Sequence, residues 1–428
     1  YSSPVQVPGT TWRKVKTSGY QSSTLATKTD GTLWSWGYNE NGQLGQNDDD
    51  AMYSSPVQIG SDTDWKNIDT GYYFRMATKT DGTLWGWGDN TYGQLRAFPD
   101  AASGGAMSSP VQLPGTTWDK PVSGYNFKGC IRTDGTLWVW GRNHIGQLAQ
   151  NNVTSPSNHG ISSPVQIPGT TWFDMQGGSA QAMAVKTDGT LWAWGDNQHG
   201  IFGVPSLAHE AQRSSPVQIP GTWSTIYSCS YRAAAALKTD GTLWSWGSNH
   251  EGGLGQNNRT DYSSPVQIPG TTWANMGQQG AIKTDGTLWM WGTNYYGSLG
   301  LNEGPGGPGW HQNVKFKSSP VQVPGTTWSK ISGNGNSNTA IKTDGTLWVW
   351  GSGGQGQNGQ NNQTSYSSPV QVPGTTWSNV SFGLNGILAF KTDNTLWAWG
   401  QNEYGAFGLN NLTQYSSPVQ IPGTTWVN

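Results

Sequence analysis

Three observations predict an all-β chain built from repeated four-stranded sheets. Charged residues make up only 11% of the 428 residues, while Gly numbers 61 and Trp 26. Turns and large flat side chains are therefore over-supplied, against roughly a quarter charged residues in an ordinary soluble domain. The string Thr-Asp-Gly-Thr-Leu-Trp begins at Thr29, Thr80, Thr133, Thr187, Thr239, Thr284 and Thr343, and an eighth copy at Thr392 reads Thr-Asp-Asn-Thr-Leu-Trp. Ser-Ser-Pro-Val-Gln begins at Ser2, Ser54, Ser108, Ser162, Ser214, Ser263, Ser318, Ser367 and Ser416, at intervals of 49 to 55 residues. A period of that length marks a repeat architecture.

Each unit decodes into short strands. Val5 to Val7 form one, bounded by Pro4 and Pro8, which places it away from the middle of its sheet. A second follows Trp12 and ends near Val15. Leu25 to Lys28 and Leu33 to Trp36 flank Asp30-Gly31, and such a two-residue loop predicts a type I′ hairpin with both central residues at positive φ; Asn394 tolerates the same region in the last copy. Along Leu33-Trp34-Ser35-Trp36 the tryptophans share one face, while Leu33 and a usually small residue share the other.

A sheet with one bulky and one small face stacks on copies of itself. Arranged radially, such sheets make a β-propeller of about eight four-stranded antiparallel blades, one per ~50-residue repeat, with seven as the alternative. The whole chain, 1–428, is then one domain with repeats at 2–53, 54–107, 108–161, 162–213, 214–262, 263–317, 318–366 and 367–415. Residues 416–428 are an extra partial repeat. Of the 26 tryptophans, 25 fall in three repeat columns, leaving Trp310 outside. The aromatic wealth is therefore core, not a stacking platform for sugars or bases.

Trp36-Gly37-x-Asn39-x-x-Gly42-Gln43-Leu44-Gly45, followed by Ser55-Pro56-Val57, resembles the repeat of the regulator of chromosome condensation family. The Asp-Gly-Thr-Leu-Trp-x-Trp-Gly hairpin resembles it too. The resemblance implies a propeller, usually of seven blades, whereas eight units stand here. Founding members of the family bind a small GTPase and chromatin, and other relatives are secreted inhibitors of β-lactamases. The Ser-Ser-Pro-Val-Gln-x-Pro-Gly-Thr-Thr-Trp wording looks like that of proteins from bacteriophages and environmental bacteria. The resemblance further implies a blade completed by strands from both chain ends. With nine Ser-Ser-Pro-Val-Gln segments for eight slots, the spare one is expected to pair with a neighbouring subunit, to belong to a longer polypeptide, or to be a disordered end.

Composition excludes several function classes. A net charge of −2, from 23 basic and 25 acidic groups, supplies no field for nucleic acid or an anionic membrane surface. No apolar run is long enough to span a bilayer. Cys130 and Cys229 make no metal spacing, and Cys130 reads as a small inward position. Histidines fall in variable loops without ligand spacing, and Asp48-Asp49-Asp50 lacks a ligand ladder, so neither metal nor cofactor is expected. Lys28, Lys79, Arg132, Lys186, Lys238, Lys283, Lys342 and Lys391 form one column, read as a turn-side ion pair with the hairpin Asp. Asn152, Asn258, Asn362 and Asn411 open Asn-x-Thr sequons and read as turn residues.

Function is expected where units differ. The longest variable segment runs from Thr293 to Lys317 and holds Trp310, His311, Lys315 and Phe316. Arg96 and Phe98 in the second unit and Phe202 in the fourth are the other candidate binding residues. The expectation is a rigid, non-enzymatic scaffold for protein binding or assembly, a structural or adhesive component of a virion or cell surface, extracellular, with a protein partner, neighbouring subunit or surface receptor. The alternative is a secreted or soluble protein inhibitor or regulator of an enzyme.

Overall fold

The computed structural model describes residues 12–17, 23–49, 52–93, 95, 105–154, 160–207, 212–229, 232–303, 316–383, 386–393 and 395–421. It forms eight four-stranded antiparallel sheets, each with its strands in chain order. In the first, β1 (Trp12–Thr17), β2 (Ser23–Lys28), β3 (Leu33–Gly37) and β4 (Tyr53–Gln58) run from one edge to the other. The other sheets begin at Trp65, Trp118, Trp172, Trp223, Trp273, Trp328 and Trp377. First strands of successive sheets lie against one another, which places them at the axis of a propeller. Fourth strands form the outer edge, where the repeated proline is tolerated. Pairing slips between Ser35↔Val57 and Gly37↔Tyr53, so Pro56 sits inside a bulge where no ladder N–H is required.

Repeat and blade are out of phase. Ser-Ser-Pro-Val-Gln closes a blade, and its last copy is the fourth strand of blade 8 (Tyr415–Ile421). Blade 8 thus takes all its strands from one contiguous stretch, and the expected sharing of a blade between both chain ends is not what is found. The copy at Ser2 lies outside the described residues. Blade 8 meets blade 1 by side-chain packing, with Phe407, Leu409 and Val419 clustered against Trp12 and Trp36.

The hairpins correct a second expectation. Gly31 N–H donates to Lys28 O and Lys28 N–H to Thr32 O, each at 3.0 Å. That is a three-residue loop: a tight turn, then one left-handed residue. Only the glycine carries positive φ, 77–81° across seven copies, and no hairpin Asp does. Asp is there for its side chain instead.

Between blades, the second Trp of Leu-Trp-x-Trp is fully enclosed, and Trp36, Trp87, Trp194, Trp246, Trp291, Trp350 and Trp399 each donate the indole N–H to the adjoining blade. Trp87 reaches Gln43 O at 3.0 Å, Trp194 reaches Gln147 O at 2.9 Å, and Trp350 reaches Ser298 O at 2.7 Å. Six rings at this position also meet the Trp of their first strand edge-on, as in Trp12–Trp36 at 5.4 Å. An aromatic pair of this geometry adds about 0.5–1.5 kcal/mol beyond its buried area.

Candidate functional site

The hairpin side of the ring is consumed by structure. In all eight blades the first Trp of Leu-Trp-x-Trp donates its indole N–H to the hairpin Thr hydroxyl at 2.7–3.0 Å. That hydroxyl donates to the Asp carboxylate at 2.6–2.7 Å. The cation column does not pair with these carboxylates, and among the described residues no ion pair joins the two. Each cation lies instead between two indoles, 3.6–5.0 Å from the first Trp of its hairpin and 4.0–5.2 Å from the Trp of its first strand. The Asp is spent on Thr, and the buried stem of Lys28 leaves its ammonium on ring faces.

The axial wall is likewise engaged. First strands are edge strands whose carbonyls lack a ladder partner, and side chains of the preceding blade reach across to them. Arg13 donates to Trp65 O and Lys66 O, Lys120 to Phe173 O, Tyr227 to Ala274 O and Lys330 to Ser378 O, at 2.7–2.9 Å.

On the opposite side run the long connections from third to fourth strands, and they begin with a shared scaffold. An Asn carbonyl oxygen accepts the N–H of the residue five positions on, as Asn39 does from Leu44 at 2.9 Å. Further along these connections Asn47, Asn151, Asn257, Asn302, Asn361 and Asn410 adopt φ of 54–64°. Each of these six donates its backbone N–H to a Ser carbonyl in the next blade's fourth strand at 2.5–2.7 Å. This latch explains the Ser-Ser-Pro text.

Phe202 belongs to this scaffold and not to a binding surface. It is fully buried, packs with Trp223 and Trp246, and fills the column held by Leu44 and Leu254. Glycine and proline around it marked a variable loop in the sequence, but its spacing from Asn197 sets it in the core. Phe316 is half-buried, with the Arg259 guanidinium 5.7 Å from its ring. Trp310, His311, Lys315, Arg96 and Phe98 lie outside the described residues. Three sequon asparagines are turn residues; Asn411, for example, donates to Leu409 O and Tyr415 Oη and accepts the Thr413 N–H. Cys130 is buried, and burial pushes its thiol pKa up.

Tyrosine is what the sequence reading missed. Tyr38, Tyr72, Tyr73, Tyr92, Tyr125, Tyr295, Tyr296 and Tyr404 all stand on the loop side. The signal was available: each lies within two residues of the Gly that follows a first strand or within five residues of Trp-Gly. Tyr125 and Tyr296 are each 43% exposed. Described acidic groups here are Glu40, Asp48, Asp49, Asp89, Asp196, Glu251, Asp261, Glu303 and Glu403, against Arg142, Arg213, Arg232, Arg259 and Lys317. Among the described residues, no group of three or more His, Cys, Asp or Glu is placed to hold a metal ion, and no helix is long and apolar enough to cross a membrane. Chemically, the surface offers amphipathic rings on a rigid frame.

Comparison with known proteins follows from this geometry. Models described as the regulator of chromosome condensation (RCC1) repeat match residues 30–78, 240–274 and 393–427, and a second model of that description matches 15–43 and 65–94. The ultraviolet-B receptor UVR8 of Arabidopsis thaliana is 28% identical over 258 residues, 57% of this chain and 55% of the receptor. The probable E3 ubiquitin-protein ligase HERC6 of Homo sapiens is 28% identical over 225 residues, 51% of this chain and 22% of that protein. The matched stretch thus spans about half, or less, of these relatives' own length. Among solved structures, Prp20p of Saccharomyces cerevisiae, studied with its binding to Gsp1p and histones, superposes with a TM-score of 0.59 at 15% identity, covering 84% of this chain and 91% of that one. Human WBSCR16 gives 0.59 at 19% identity, covering 79% and 94%. These two likenesses establish the fold.

Proposed function

We propose, from the premise that the chain is a propeller of regulator of chromosome condensation (RCC1) repeats, that it is a non-enzymatic scaffold whose loop side binds a protein partner. The observation that carries this reading is the division of labour between the two sides. Repeated residues on the hairpin side and at the axis are spent on one another, whereas the loop side differs from blade to blade and holds exposed tyrosines. Tyrosine supplies large contact area at small entropic cost and is enriched among residues that dominate interfaces. Binding of Prp20p to Gsp1p and histones is in keeping with this role. A location outside the cell, on a virion or cell surface, belongs to the same proposal.

A photo-crosslinking residue at Tyr125 or Tyr296, compared with one at Thr271 on the hairpin side, tests it in the native source. The reading expects discrete protein adducts from the two loop positions and none from Thr271. Adducts from Thr271 alone would overturn it.

A further inference from the structure

Two tyrosines meet across the seam between blades 2 and 3. Tyr72 lies with its ring centroid 4.3 Å from that of Tyr73, edge-on, and 4.3 Å from that of Tyr125, tilted by 42°. The three come from the turns that join first to second strands, beside the axis. Their backbones are fixed: Tyr125 N–H donates to Gly178 O at 3.1 Å, and Tyr73 O accepts the Asp89 N–H at 2.9 Å. Tyr72 and Tyr73 are half-buried and Tyr125 stands open. A fixed, partly exposed triple of rings is a recognition surface, because its contact area is already ordered before anything binds.

Charge says what it takes. The loop side carries nine described carboxylates against five cations, and the cations are largely occupied. Arg142 lies 4.6 Å from the centroid of Tyr92, Arg259 lies against Phe316, and Lys317 pairs with Glu303 at 2.6 Å. Most of the carboxylates are held by neutral donors instead: Asp48 by Asn39 and Tyr53, Glu40 by Tyr38, Asp196 by the Gln198 N–H. Counted whole, the described residues of this side keep an excess of four acidic groups, nine against five. Beneath the rings, Arg75 is bound to Phe74 O and Gly71 O. Lys128 is fully enclosed against Phe74, and burial pushes its pKa well down, away from the charged form. Asp69 and Asp89 act on these two through space; burial pushes the Asp69 carboxyl up, against the pull of Lys16, so Asp89 is the carboxylate that counts here. Rings attract a cation through their quadrupole, and Asp89, whose N–H is bonded to Tyr73 O, adds a Coulomb term.

We propose that the Tyr72–Tyr73–Tyr125 cluster docks an arginine- or lysine-bearing segment of the protein partner. This rests on the protein-binding reading above and adds the chemistry of the partner. The probe is a labelled hexa-arginine peptide, titrated against the full chain by fluorescence anisotropy at low and at physiological ionic strength. Binding is expected to exceed that of a hexa-glutamate peptide and to weaken with salt. Tyr72→Ser combined with Tyr125→Ser should lower affinity about five-fold, corresponding to the loss of an exposed cation–ring contact, while Thr271→Ala on the hairpin side leaves it unchanged. Tyr72→Phe with Tyr125→Phe keeps the rings and should retain binding, and Asp89→Asn should weaken it; these two variants serve if the serine pair does not fold. Equal binding of both peptides, or affinity indifferent to Tyr72, Tyr125 and Asp89, would overturn the proposal. If Tyr125 still crosslinks to protein in the native source while hexa-arginine does not bind, the cationic segment falls and the loop-side reading stands. Failure of both would remove both.

Discussion

The indole N–H of Trp36 donates to the carbonyl of Ala406 at 2.8 Å, joining the first blade to the last. It repeats the bond that Trp87 makes to Gln43 within the chain, so ring closure uses the same device as the interior seams at Trp87, Trp194, Trp246, Trp291, Trp350 and Trp399. No special strand is needed at that seam, because the first blade presents its Trp to the loop of the last as those blades do to the loops before them.

The latch at this seam is open to direct test. Asn410 holds φ of 54° on the exposed rim and donates its backbone N–H to Ser54 O. Asn410→Gly should change stability by less than about 0.5 kcal/mol, while Asn410→Val should cost about 1–2 kcal/mol because a β-branched residue resists the left-handed region. Chemical denaturation measures the difference. Equal stability of the two variants would show that the backbone conformation carries no strain.

Phe202 offers a test that separates core from surface. Phe202→Ala should destabilise by about 3–5 kcal/mol, as for other buried aromatics, and leave partner affinity per folded molecule unchanged. Reduced affinity with unchanged melting would return this residue to the binding surface.

Stability should fall in acid for a stated reason. Hydrogen bonds from the following Thr hold the carboxyls of Asp81, Asp134, Asp188, Asp240, Asp285 and Asp344 below the usual range. A carboxyl whose pKa is lower in the folded than in the unfolded chain stabilises the fold above the unfolded value, about 3.9, and loses that contribution as pH drops through the folded one. Melting temperature should therefore decline below about pH 4. Asp134→Asn should make that decline shallower; an unaltered acid limb would assign it to other groups.

Much of this was legible from spacing alone. Strict recurrence of Trp34, Trp36 and Ser35 positions dictated strand alternation, face assignment and blade number, since packing a sheet on its own copy demands the same residues each time. What escaped was the use of polar side chains. Asp30 and Lys28 stand two residues apart and read as an ion pair, but their partners, Thr32 and the Trp12–Trp34 rings, are set by the three-residue loop and by sheet pairing. Phe202 was misplaced because flanking Gly203 and Pro205 resemble loop punctuation, whereas its core role depends on distance from Asn197. The Tyr72–Tyr125 contact joins residues of two blades and needs the ring to exist before it can be seen.

The closed ring of contiguous blades is tested most directly at the strand that the last copy of the motif supplies. Val419 is 8% exposed, pairs opposite Ala398 and packs in the seam cluster with Trp36. Val419→Asp should cost more than about 3 kcal/mol, as expected for an unpaired buried charge, measured by denaturant unfolding. A loss below about 0.5 kcal/mol, the size of an ordinary surface substitution, would mean that this copy does not fill blade 8, contradicting the account.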